Sequence, residues 1–269
     1  FVLDTNNRLW ACGANSDGVL GQGNNNIYNN FVEVKIDGLD LSSTKIELYP
    51  ISHFQRQYSS VILKCSDGRV YGCGINSYGG FGIGNNTSYS KFIELSAYNN
   101  IWKNPKQIAN QGISLFVITQ DGELYASGYN KNGMLCLGHT NTINKLTKVT
   151  ENVKDVAIRS NTNVVFLKES GDLYTNSGSG EIVKINGLED SELQFLGGTA
   201  IISNNQYYQI NINTNSLDKA FASYEISNET INLTTMMGFI SNNKIYLSGR
   251  PNITKPKAKS IYQLKKVFS

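Results

Sequence analysis

Apolar and polar residues alternate along this chain in short bursts, and a turn pair closes each burst. Ser60-Val61-Ile62-Leu63 is an apolar run, Asp67-Gly68 follows it, and Arg69-Val70-Tyr71-Gly72-Cys73 runs on beyond. Asp-Gly between two such runs marks a tight hairpin, because both central positions of the favoured turn need positive φ. Lys45-Ile46-Glu47-Leu48 supplies a strand upstream and Phe92-Ile93-Glu94-Leu95 another downstream. The pattern predicts about four antiparallel strands per unit. No stretch sustains a helical period for long. No window approaches the ~18 consecutive apolar residues of a membrane-crossing helix.

The unit recurs. Residues 13–23 (GANSDGVLGQG), 74–84 (GINSYGGFGIG) and 128–138 (GYNKNGMLCLG) align without a gap. They share the form G-x-N-x-x-G-x-Φ-(G)-x-G, with Φ apolar at Leu20, Phe81 and Leu135. A turn pair, an apolar residue and an aromatic precede each copy: NNRLWACG from Asn6, DGRVYGCG from Asp67, DGELYASG from Asp121. Weaker copies follow at SGDLYTNS (Ser170 to Ser177), NNQYYQIN (Asn204 to Asn211) and NNKIYLSG (Asn242 to Gly249). The aromatic anchors are Trp10, Tyr71, Tyr125, Tyr174, Tyr207 or Tyr208, and Tyr246. A lone four-stranded sheet leaves both faces bare. Packing such sheets radially covers them, so the expected fold is an all-β propeller of about six blades, seven being the alternative. The expected domain is single, 1–269. Ser260 to Phe268 reads as a last strand with no hairpin after it, and Phe1-Val2-Leu3-Asp4 as a hairpin strand without its upstream partner. Pairing of the two would close the ring and remove a free edge.

Composition narrows the chemistry. Of 269 residues, 40% are hydrophobic and 17% charged, which suits a folded core and excludes a disordered chain. Roughly one residue in eight is Asn, a residue of tight turns. The net charge of +3 is too small and too scattered to point to nucleic acid. The four cysteines (Cys12, Cys65, Cys73, Cys136) form no metal-type spacing, and neither His53 nor His139 sits in a catalytic motif. No catalytic residue, metal ion or cofactor is therefore expected. Unpaired cysteines fit a reducing, intracellular compartment. Cys12 and Cys73 read as small buried residues, Trp102 as a cover on the side of the propeller, and His139 as a turn residue aligned with Asn24 and Asn85.

Residues 67–84 resemble the repeat of the regulator of chromosome condensation family most closely, with 6–23 and 121–138 next. That resemblance implies the propeller itself, with the glycines serving backbone conformation. It also implies a partner. The family's founding member is a nucleotide exchange factor for the small GTPase Ran, and other members are interaction scaffolds. Bacteria living inside host cells deliver effectors of this type against host small GTPases. The divergent, Asn-rich repeats here look most like that group, which implies secretion into a host cytoplasm. Exchange requires no acid or base: a factor that binds the nucleotide-free GTPase best speeds nucleotide release. Two departures from the family stand out. No insertion separates the Gly-rich turn from the next strand in any good repeat, where the Ran exchange factor carries a wedging hairpin. The family's histidine before each second strand is replaced, with Ser60, Ser114, Asn163 and Thr199 in roughly those places.

In a propeller, the loop before the second strand and the Gly-rich turn after the third emerge on one face. The candidate partner-binding residues on that face are Asp17, His53, Phe54, Arg56, Tyr58, Tyr78, Lys131, Asn132 and Arg159. Arg and Tyr are favoured anchors of protein interfaces. Asn15, Asn76 and Asn130 lie beside them, with Asx-turns as the bland reading. The expected activity is engagement of a small GTPase, of the Ran class or related, with promotion of guanine-nucleotide exchange by a monomer. The rival is a scaffold without exchange activity, and a third reading is a carbohydrate or membrane-surface binder. Lys255, Lys257, Lys259, Lys265 and Lys266 could give weak attraction to an anionic membrane, or guard a terminal strand against edge pairing.

Overall fold

The computed structural model describes the backbone of residues 1–52, 59–110, 113–160 and 162–186, and of the strands between 194 and 254. Side chains are described for 1–49, 60–110, 113–158 and 162–186. The contacts group the chain into two compact units, Phe1–Glu189 and Asp190–Ser269.

The first unit holds four antiparallel sheets. The first has three strands: β1 (Val2–Leu3), β2 (Leu9–Gly13) and β3 (Tyr28–Glu33), in that spatial order. The second runs β4 (Ile46–Ser52), β5 (Ser59–Cys65), β6 (Val70–Gly74), β7 (Tyr89–Glu94). The third runs β8 (Gln107–Asn110), β9 (Ser114–Ile118), β10 (Leu124–Gly128), β11 (Ile143–Thr150). The fourth runs β12 (Val153–Ser160), β13 (Asn163–Lys168), β14 (Leu173–Asn176), β15 (Ile182–Lys184). In the second unit, β16 (Gln194–Leu196), β17 (Ala200–Ser203), β18 (Gln206–Asn211) and β19 (Ser216–Lys219) form another four-stranded sheet. There β20 (Ala222–Glu225), β23 (Lys244–Leu247) and β22 (Gly238–Ser241) form a three-stranded sheet, and β21 (Thr230–Ile231) pairs with β24 (Ile253–Thr254).

The expected strands are present, with shifted ends. β7 begins at Tyr89, because a bulge between Gly72 and Gly74 lets Gly74 pair with Tyr89. β4 continues through Tyr49 and Pro50 to Ser52, beyond the apolar run that ended at Leu48. Pro50 is tolerated because β4 is the edge of its sheet. Each of the six aromatic anchors falls in a strand. Asn7 (φ 58) takes in the first hairpin the place that Gly68 (φ 90) takes in the second. No strand pairs with the outer edge of β1 among the described residues, and the expected closing strand at 260–268 lies outside them.

The sheets of the first unit stack face to face, which explains their continuous apolar runs. On β5, Val61 and Leu63 join a core with Leu9, Ala11, Leu20 and Phe92, while Ile62 joins a second with Phe81, Leu115 and Val117. On β9, Leu115 and Val117 face that second core, while Phe116 and Ile118 face a third with Leu135, Val164 and Phe166. A strand buried on both faces loses the apolar-polar alternation of a half-exposed one. Trp102 is fully buried against the second core, its indole N–H donating to the Phe81 carbonyl at 3.0 Å.

Candidate partner-binding face

Three connections share one design: 14–27 after β2, 75–88 after β6, and 129–142 after β10. In each, an asparagine is fully buried: Asn15, Asn76, Asn130. Its amide N–H donates to the carbonyl nine residues on: Asn24 at 2.8 Å, Asn85 at 3.0 Å, His139 at 2.8 Å. Its amide oxygen accepts from the backbone N–H five residues on, Leu20, Phe81 and Leu135, each at 2.9 Å. Both halves of the amide are thereby satisfied, as burial demands. The shared asparagine is a clamp, and it spans far more chain than the Asx-turn the sequence suggested.

The shared glycines have a second use. The first two turns cross to the outer strand of the next sheet, and the third to the connection between β14 and β15. Gly23 N–H donates to Ser90 at 2.7 Å, Gly84 N–H to Asn144 at 2.7 Å, and Gly138 N–H to Gly180 at 2.8 Å. A Cβ on Gly21 would lie 2.6 Å from the Phe92 ring, so only glycine permits this approach. Most of the repeat motif is therefore explained by packing of sheet on sheet.

The tip of each turn is presented by a tight reversal. Gly18, Gly79 and Gly133 donate back to Asn15, Asn76 and Asn130 at 2.9, 2.7 and 2.9 Å, closing β-turns. The central pairs so presented are Ser16-Asp17, Ser77-Tyr78 and Lys131-Asn132. Asp17 and Tyr78 are half-buried; Lys131 and Asn132 are exposed. Pairing of Ser60 with both Ile51 and Gly74 puts the β4–β5 connection at the same end of the sheet as the tip turn. Arg159 lies in the last stretch of β12, whose backbone ends at that same edge. His53, Phe54, Arg56 and Tyr58 lie outside the described residues.

Tyr78 meets a residue that sequence reasoning missed. Its ring stands edge-on to Tyr129 of the next sheet, centroids 5.3 Å apart and planes at 84°. The signal was present: Tyr129 follows the first motif glycine, where the other copies carry Ala14 and Ile75. The pair bridges the second and third sheets at the tip face, and edge-on aromatic pairs add to plain burial. Ser114, at the position where the family carries histidine, donates its hydroxyl to the Tyr129 carbonyl at 2.8 Å and steadies this tip.

Charge divides the two ends of the sheets. Asp17 is the only carboxylate and Lys131 the only ammonium in the three tip turns. The opposite end carries ion pairs at the hairpins: Arg8–Asp4 at 2.8 Å, Arg69–Asp67 at 2.7 Å and Lys148–Glu123 at 2.6 Å. There the Trp10 indole N–H, with Arg8 and two backbone N–H groups, holds the Asp4 carboxyl down to about 2. The thiols are not poised for chemistry. Burial pushes Cys65 up to about 11, Cys136 up to about 12 and Cys73 well above its usual range. Cys12 is half-buried, more open than the expected match to Cys73. Among the described residues, no group of three His, Cys, Asp or Glu side chains could hold a metal ion.

No protein-family profile matches the chain, and no curated protein matches its sequence. Solved structures do. Human WBSCR16 matches with a TM-score of 0.59 at 18% identity, covering 77% of this chain and 57% of that one. Yeast RCC1 (Prp20), solved bound to Kap60, matches with a TM-score of 0.59 at 14% identity, covering 95% of this chain and 61% of that one. The fold is an RCC1-like β-propeller. Prp20p from Saccharomyces cerevisiae, studied for its binding to Gsp1p and histones, matches again with a TM-score of 0.53 at 13% identity, covering 97% of this chain and 67% of that one. This RCC1-like chain spans less than two thirds of the length of the first two structures. At these identities the likeness speaks for the fold, and the tip face must carry any functional argument.

Proposed function

We propose that this RCC1-like propeller binds a small GTPase through the tip face and promotes release of its guanine nucleotide. The observation that carries the reading is the division of labour within each turn. Clamp asparagines and crossing glycines fix the backbone, while the tip pairs they present, Ser16-Asp17, Ser77-Tyr78 and Lys131-Asn132, differ in chemistry from copy to copy. Rigid presentation of variable residues lowers the entropy lost on binding. The Tyr78–Tyr129 pair offers an aromatic anchor, with Lys131 and Asn132 exposed beside it. Prp20p, a structural neighbour, is studied for binding to Gsp1p, which supports a GTPase as the class of partner. Exchange would then be a population shift: a surface that favours the nucleotide-free GTPase speeds loss of the nucleotide. The test is binding of immobilised protein to Ran-class GTPases with and without nucleotide. Tighter binding of the empty form is expected; equal binding of both forms would remove exchange from the proposal.

One observation favours the rival, a scaffold without exchange activity. The turns run from Gly13 to Tyr28, Gly74 to Tyr89 and Gly128 to Ile143, and each encloses the same number of residues. No hairpin is inserted to wedge the partner open. Binding without acceleration of release is what this second reading expects.

A further inference from the structure

One concave site lies beside the Ser77-Tyr78 tip turn, where Gly79 packs against Asn144 and Asn86. A groove of about 320 Å³ is lined by Asn86, Thr142, Ile143, Asn144, Lys145 and Thr147, where the turn after β6 crosses β11. That volume lies at the lower end of small-ligand sites, about 300–1,000 Å³. Gly13 pairs with Tyr28 and Gly74 with Tyr89, but Gly128 pairs with Ile143. The Tyr28 and Tyr89 hydroxyls accept from Asn24 and Asn85 at 2.8 and 3.1 Å. Ile143 has no hydroxyl, and His139 replaces the asparagine, so the third turn lacks that contact.

The polar groups of the groove are available. The side chains of Asn86, Thr142, Asn144 and Lys145 make no hydrogen bond or ion pair within the described residues. Lys91 holds the place of Lys145 one sheet earlier: the two pair with Gln22 and Ile83 of the crossing turns. Lys91 has the Asp37 carboxylate at 3.8 Å, whereas Lys145 has no such neighbour. The walls thus offer one cation, two amides and two hydroxyls, that of Thr147 donating to the Lys145 carbonyl at 3.1 Å, with no carboxylate. Amides and hydroxyls both donate and accept, which suits neighbouring hydroxyl groups on a ligand. An ammonium without an acidic neighbour suits one carboxylate. Ile143 offers the only apolar surface, for a C–H face.

We infer that this groove is a binding site for a sugar acid, a monosaccharide unit bearing one carboxylate and vicinal hydroxyls. Lys145 meets the carboxylate, Asn86, Asn144 and Thr142 meet the hydroxyls, and Ile143 underlies the ring. The inference is independent of the GTPase reading.

The test is titration of the ¹⁵N-labelled protein with glucuronate, glucose and inorganic phosphate, read by amide shifts. Glucuronate is expected to shift resonances of residues 142–147 at concentrations on the order of millimolar, with glucose and phosphate each at least about tenfold weaker. Lys145→Met should lower the glucuronate affinity about tenfold, whereas Lys91→Met should leave it unchanged. An unaltered spectrum elsewhere shows that each variant folds. No shift with glucuronate overturns the proposal. Equal response to phosphate reduces the groove to a plain anion site, and equal response to glucose removes the role of Lys145; either result overturns it as well.

Discussion

Gly82 lies hard against Leu146 of the next sheet: a Cβ on Gly82 would stand 2.6 Å from the Leu146 Cγ. Leu146 is 8% exposed beneath that turn, and it occupies the strand position that Phe92 occupies beneath Gly21. The same crossing joins the first sheet to the second and the second to the third. Gly82→Ala must adopt φ near +64 and displace Leu146. The first costs about 1–2 kcal/mol and the second about 1–3 kcal/mol. Gly138→Ala has the same kind of φ, +71, but nothing within 4 Å. Denaturant unfolding should therefore show the Gly82 variant to be clearly the less stable of the two.

Asn76→Ala removes both arms of a clamp. It leaves the Phe81 N–H and the Asn85 carbonyl without their partner. Each orphaned buried group costs about 1–3 kcal/mol, so a loss of about 2–5 kcal/mol is expected in the same experiment. Ser77→Ala, at an exposed tip position, should change stability by less than about 0.5 kcal/mol.

His139 imitates an asparagine. Its Nδ1 accepts from the Asn141 N–H at 3.2 Å, as Asn24 accepts from Asn26 at 2.9 Å and Asn85 from Thr87 at 3.0 Å. The accepting nitrogen must be unprotonated, which places the ring proton on Nε2. His139→Asn should fold and keep its stability within about 0.5 kcal/mol, as thermal melting would show. A large loss would mean that the imidazole has a role the other copies lack.

Asp155 sets a pH dependence. Burial raises its carboxyl above the ordinary range, against the Gln107 amide that donates to it at 2.7 Å. A raised carboxyl binds its proton more tightly in the folded state. Its contribution is therefore complete below the unfolded value and lost as pH rises through the folded one. Asp155→Asn keeps an acceptor for Gln107 and cannot ionise. Melting across pH should show the variant matching the native protein in acid and exceeding it at neutral pH. Asp67 and Asp172, held low by Arg69 and Lys184, act in the opposite sense: their contribution is lost as pH falls through their lowered folded values.

Much of this was legible in the residues. Asp67-Gly68 and Asp121-Gly122 announced hairpins because turn chemistry is local. The three Gly-rich copies announced their own structural equivalence. What Asn76 does was not legible, because its partners lie five and nine residues away and only the folded turn brings them together. Gly21 and Gly82 could be read as special, but Phe92 and Leu146 could not be named as their reason, since they belong to the next sheet. Tyr129 was missed for the same cause: its ring gains meaning only against Tyr78, about fifty residues earlier in the chain. Asp17, Tyr78, Lys131 and Asn132 do share one end of the sheets, as the alternation of strand direction required.

The central claim is that the tip face engages a small GTPase and loosens its nucleotide. The most direct measurement is release of a fluorescent GDP analogue from a Ran-class GTPase, with this protein in catalytic amount. The native protein should accelerate release. Tyr78→Ala and Lys131→Glu should each reduce the acceleration at least about tenfold while keeping the native β-type circular dichroism. Release at the unassisted rate, or acceleration that both variants leave untouched, would contradict the account.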